Sequence, residues 1–137
     1  NIMNSKQFLL IGGIVLVLVG ILGWINVLGP TADVSIFGSS WWFDTGENWA
    51  HLVLGVIALI VVFAFGASIQ APITLLVGIG GIIIGLLGFF LDSEMSYNFY
   101  GLANLENPLD NILHLVIGAW ALLAWWKEKS SPSVEMM

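Results

Sequence analysis

The chain has 137 residues, 58% hydrophobic and only 9% charged, with a formal net charge of -6. A mean hydropathy of +0.98 exceeds what a soluble domain needs and places the chain in a membrane, while the acidic balance argues against nucleic acid as a partner. With no cysteine there is no disulfide, thiolate nucleophile or iron-sulfur cluster, which excludes thiol-based quinone or disulfide chemistry.

Residues 8–28 form the first of four apolar runs that reach the ~20 residues needed to cross a hydrocarbon core. Only Lys6 precedes this run, and it exceeds the ~7 to 15 apolar residues of a secretory signal, so it is expected to stay as a span. It contains Ile11-Gly12-Gly13-Ile14 and Gly20-Ile21-Leu22-Gly23-Trp24. A loop over 29–45, rich in small, aromatic and acidic residues, leads to a second span over 47–65. That span opens with Glu47-Asn48-Trp49-Ala50-His51-Leu52-Val53-Leu54-Gly55. Asp44-x-x-Glu47 has the form of a capping box, in which both side chains satisfy free amides at a helix start.

The short uncharged link 66–71 predicts a tight antiparallel hairpin into a third span over 72–91. There Gly78, Gly81, Gly85 and Gly88 lie near one stripe, and Gly81-x-x-x-Gly85 is a spacing that lets helix backbones approach closely. A second loop over 92–107 combines Tyr97, Asn98, Phe99 and Tyr100 with acids, and both long loops are expected to fold over the same mouth of the bundle. The fourth span, 108–126, opens with Asp110-Asn111-Ile112-Leu113-His114-Leu115-Val116-Ile117-Gly118. Asn107-x-x-Asp110, with Pro108 at the first helical position, again reads as a capping box. Trp41, Trp42 and Trp49 mark one headgroup boundary, and Trp125 and Trp126 the other.

All three lysines, Lys6, Lys127 and Lys129, flank the outer ends of spans one and four. An even number of spans puts both termini on one side, and the positive-inside rule makes that side the cytoplasm of a multi-pass cell-membrane protein. The opposite loops carry Asp33, Asp44, Glu47, Asp92, Glu94, Glu106 and Asp110 with no basic residue, an acidic face that concentrates cations. The echoed motifs predict an all-α, four-helix bundle made of two tandem two-helix repeats, about 7–66 and 71–127, followed by a polar tail over 128–137. Ile11-Gly12-Gly13-Ile14 echoes Ile79-Gly80-Gly81-Ile82, with a spacing to the later glycines that differs by a few residues, and parallel repeats related about the membrane normal set His51 and His114 at equal depth.

Each motif places an acid, a histidine four later and a glycine four later again along one helix face. Ionisable groups in a membrane helix suggest function with a partner. His51 and His114, with Glu47 and Asp110, make an N2O2 set suited to zinc, manganese, iron or copper, to which Asp92 or Glu94 could add an oxygen. Asn48 and Asn111, three positions earlier, are expected to orient the imidazoles. Gly55 and Gly118 seat a neighbouring helix or make room for a planar cofactor; in the second case a bis-histidine b-type haem becomes an alternative, ranked below a bare metal ion. Two further alternatives stay open: an accessory subunit of a homo-oligomer or larger membrane complex whose motif is polar packing alone, and a proton or cation pathway. No serine, threonine or cysteine within the motifs supplies a nucleophile, so binding is expected before catalysis.

The pair of motifs on four spans resembles a bacterial and archaeal membrane family catalogued as a domain of unknown function, number four-three-eight-three. Asn107-Pro108-Leu109-Asp110-Asn111-Ile112-Leu113-His114-Leu115 is similar to its span-four pattern. Asn48-Trp49-Ala50-His51-Leu52 is similar to its span-two pattern, with Glu47 where the family more often has histidine. The resemblance implies the four-span fold and the pairing of repeats, and brings no activity or cofactor.

Overall fold

The computed structural model describes residues 4–91, 95 and 97–131. Its elements in chain order are α1 (Ser5–Trp24), 3-10 turns at Ala32–Val34 and Gly38–Ser40, α2 (Thr45–Ala64), α3 (Ala67–Gly88) and α4 (Leu109–Ser130). Each helix has 20 to 22 residues and is long and apolar enough to cross a membrane, at about 30 Å or slightly more. Among the described residues there is no strand, only an isolated bridge between Phe99 and Ala103.

Helix ends differ from the sequence expectation for local reasons. Helix α1 stops at Trp24, four residues early, because Asn26 turns left-handed (φ 62°) and the Val27 and Leu28 amides fold back to the Leu22 carbonyl. Helix α3 begins five residues early and takes Pro72 inside it, so only Phe65 and Gly66 join α2 to α3. Gln70 makes that hairpin possible: its side-chain amide Nε2 donates to the carbonyls of Phe65 at 2.8 Å and Val62 at 3.3 Å, oxygens that a helix C-terminus leaves unpaired. Helix α4 runs on to Ser130 and holds Lys127 and Lys129 in its last turn, where cations suit the helix dipole. Glu128 of that turn accepts from the Ser5 amide at the start of α1 at 3.2 Å.

Helix α1 packs along α2 and α3 along α4, with α1 also touching α3 and α4, whereas α2 and α4 barely meet. The buried apolar core is Phe8, Leu9, Ala58, Val61, Val62, Ala121 and Ala124, closed by an edge-on Phe8–Trp120 contact at 4.7 Å. Large side chains such as Leu18, Phe63, Leu76 and Val116 face outward, as lipid-facing positions of a spanning bundle do.

Glycine sets both tight seams. A Cβ on Gly55 would lie 2.8 Å from the Val17 amide and 2.9 Å from the Gly13 carbonyl, and one on Gly118 would lie 2.8 Å from Ile82 and 3.0 Å from Gly78. Gly20 faces the Asn48 carbonyl as Gly85 faces that of Asn111. Gly81 meets the His114 carbonyl and Gly118. Gly55 meets the Gly13 carbonyl as Gly118 meets that of Gly78, three residues before the Gly81 that echoes Gly13 in sequence. Because helix backbone fills the space beside Gly55 and Gly118, these glycines make no slot for a porphyrin.

Candidate functional site

The two long loops meet over the ends of α2 and α4. In the first, Ile36 and Phe43 donate backbone hydrogen bonds to Val27 and Leu28 at 2.9 and 2.7 Å. This holds the aromatic series Phe37, Trp41, Phe43 and His51, in which successive ring centroids are 5.4, 5.2 and 4.8 Å apart. In the second, the Asn98 side chain pins Leu105 from both sides, accepting from its amide at 2.9 Å and donating to its carbonyl at 3.1 Å.

Asp44 caps α2 as the sequence predicts. Its Oδ1 accepts from the Glu47 amide at 3.0 Å and Glu47 Oε2 accepts from the Asp44 amide at 3.0 Å. The second capping box does not form. Pro108 precedes α4 with no side-chain cap bond, and Asp110 instead accepts from the Glu106 amide at 2.8 Å and from Trp41 Nε1 at 2.9 Å. Asp110 thus closes onto the amide of Glu106, four residues earlier, in place of that of Asn107, while its second oxygen takes the indole from the first loop.

Glu47, Glu106 and Asp110 are all buried, and each offers an oxygen within 4.8 Å of the others'. Each carboxylate is also oriented. Glu47 is held by the Asp44 amide, Glu106 Oε1 by Asn104 Nδ2 at 2.6 Å, and Asp110 by Trp41 and the Glu106 amide. Asn104 is itself tied down through its amide, which donates to Asp44 Oδ2. Glu106 Oε2 is buried with no hydrogen-bond partner. Burial, followed by the neighbouring Asp110 carboxylate, pushes the Glu106 carboxyl from 4.5 up to about 9, because the charged form loses its water and faces a like charge.

The structure thus joins predicted Glu47 and Asp110, and adds Glu106. Among the described residues neither imidazole falls within that close oxygen set. His51 and His114 lie one turn deeper, about 6 Å along each helix, and His51 is within electrostatic reach of His114, Asp110 and Asp44. His114 Nδ1 is 2.6 Å from the Asp110 carbonyl oxygen. A carbonyl only accepts, so that nitrogen carries a proton, and in the neutral ring the lone pair is then on Nε2. His51 Nδ1 is buried without a partner. Asp92 and Glu94 lie outside the described residues.

Asn48 and Asn111 do not orient the imidazoles. Both are fully buried and lie in the seams, where a Cβ on Gly23 or Gly88 would fall 1.7 Å from the Oδ1 of Asn48 or Asn111 respectively. Helix rotation is the cause: the face carrying Asn48 and Leu52 is turned to α1, and that carrying Asn111 and Leu115 to α3. Sequence reading also missed Trp41, Asn104 and Glu106 as parts of the site. Glu106 does share the loop of Asp92 and Glu94 and lies nearest to the span-four motif, which is the signal available for it.

Comparison with protein-family models, with curated proteins and with solved structures returns no match.

Proposed function

We propose that this chain is an integral membrane protein that binds a divalent cation at its extracytoplasmic mouth through Glu47, Glu106 and Asp110. The reading extends to two tandem helical hairpins with both termini cytoplasmic, in keeping with the lysine distribution and the family resemblance. One observation carries the cation: three oriented, buried carboxylates share a volume 4.8 Å across, while the lysines all lie at the far ends of α1 and α4. Buried like charges need protons or a counter-charge, and no lysine or arginine lies beside them to supply one. An oxygen triad suits hard cations such as calcium. The imidazoles one turn deeper offer nitrogen donors that extend the range to borderline ions such as zinc.

The test is calorimetric titration of chelator-stripped, tag-free protein with Ca2+ and with Zn2+, alongside elemental analysis of protein as purified. One equivalent should bind, and Glu47→Gln with Asp110→Asn should abolish it. A His51→Gln, His114→Gln variant should keep Ca2+. Retention by the carboxylate variant with loss in the histidine variant would move the site to the nitrogens. Binding of neither ion to folded protein would end the proposal.

A further inference from the structure

Resting on that cation reading, we infer that the bound ion is a clasp that closes the two helical hairpins onto each other at the loop-bearing end, so that occupancy controls the shape of this mouth. The ligands divide between the hairpins: Glu47 belongs to α2 of the first, while Glu106 and Asp110 belong to the second, in the loop before α4 and in its first turn. The backbones of α2 and α4 approach each other little, and the core they share, Ala58, Val61 and Val62 with Ala121 and Ala124, lies well away from the carboxylates along both helices. Their connection at this end is polar and concentrated around the carboxylates.

Among the described residues, three contacts cross the divide at this end. Trp41 of the first hairpin donates to Asp110 of the second at 2.9 Å. The Asn104 amide of the second donates to Asp44 of the first. The Leu102 carbonyl lies over Gly46, so close that a Cβ there would be 2.0 Å from it. All three engage residues that hold or adjoin the carboxylates. Ion-free, carboxyl groups drawn from two bodies must hold protons or repel one another, whereas a cation that displaces those protons binds oxygens of both bodies at once and draws them together. Glu106 Oε2 is the oxygen in this arrangement that a proton or a cation must satisfy: its residue is 9% exposed and the oxygen has no hydrogen-bond partner. At the opposite end the hairpins are joined differently, by the Phe8–Trp120 ring contact and the Ser5 to Glu128 bond, which contain no part of the site. An ion should therefore move one end and leave the other unchanged.

The absence of native cysteine makes a spin-label test direct. One full-length variant carries Ser39→Cys and Tyr100→Cys, exposed positions on the two loops, and a second carries Lys6→Cys and Ser130→Cys, exposed at the other end. Distances are measured by double electron-electron resonance in chelator and then with Ca2+ or Zn2+, both diamagnetic, with binding followed by calorimetry on the same samples. The loop pair should narrow and shift by ~2 Å or more, the scale of a loop or hinge rearrangement, and the other pair should not change. Glu47→Gln, which keeps an acceptor for the Asp44 amide, should leave the loop pair broad at all ion concentrations. An ion that binds by calorimetry but leaves the loop pair unchanged would overturn the clasp and spare the site. Binding of neither ion would overturn both.

Discussion

Gly46→Ala tests the link between loop packing and the carboxylate site. The new methyl carbon would sit 2.0 Å from the Leu102 carbonyl oxygen and 3.2 Å from its carbon, where ordinary contact begins at 3.4 Å. The obstacle is backbone, so no rotamer change relieves it and the 97–106 loop must retreat by ~1.4 Å, within the range of strain that overpacking imposes. Asn104 lies two residues beyond Leu102, and a retreat of that size lengthens its bond to Asp44 and carries Glu106 with it. Overpacking costs about 1–3 kcal/mol, and a lost hydrogen bond to a carboxylate costs about 1.5–3 kcal/mol. The higher helix propensity of alanine returns up to ~1 kcal/mol. A net loss of about 1.5–5 kcal/mol follows, and if it falls mainly on the ion-bound state the dissociation constant rises by roughly tenfold or more. The assays are Ca2+ calorimetry and reversible unfolding in mixed micelles, with Gly80→Ala as control because a Cβ there meets nothing within 4 Å. If Gly46→Ala matches Gly80→Ala in both, the seating of this loop on α2 is wrong.

Three other outcomes are expected. Glu106 stays protonated to about pH 9 in the folded ion-free chain, so it binds more protons folded than unfolded between its ordinary value and that point. Ion-free stability should therefore fall as pH rises through this window, while apparent ion affinity rises with pH because the cation displaces the proton; thermal scans and titrations from pH 5 to 9 should show Glu106→Gln flattening both trends. Gln70→Leu strips the end of α2 of its side-chain donor and should lower unfolding stability by about 1–3 kcal/mol with Ca2+ binding intact. Gly23→Ala and Gly88→Ala drive a methyl into Asn48 and Asn111, each costing about 1–3 kcal/mol; combining Gly23→Ala with Asn48→Ala should recover part of the loss in a double-mutant cycle, and strict additivity would argue against the seam.

The amino-acid sequence alone determined the four spans, because each apolar run is long enough to cross a bilayer and the hydrogen-bonding demand of lipid leaves a helix as its form. It also determined the Asp44–Glu47 cap, a purely local exchange of bonds, and it marked Glu47 and Asp110 through their repeated spacing. What a periodic pattern leaves open is the rotation of each helix about its axis. That rotation sends Asn48 and Asn111 against Gly23 and Gly88, and it was settled only when close backbone approach at Gly20, Gly55, Gly85 and Gly118 fixed the seams. The close oxygen set was likewise a tertiary decision. Glu106 joins Glu47, nearly sixty residues earlier in the chain, only because the second loop folds across onto the first hairpin, held by Asn104 on Asp44 and Trp41 on Asp110. Hydropathy and helical spacing act over a few turns of one chain segment, whereas this site depends on hydrogen bonds between two loops that no local pattern connects.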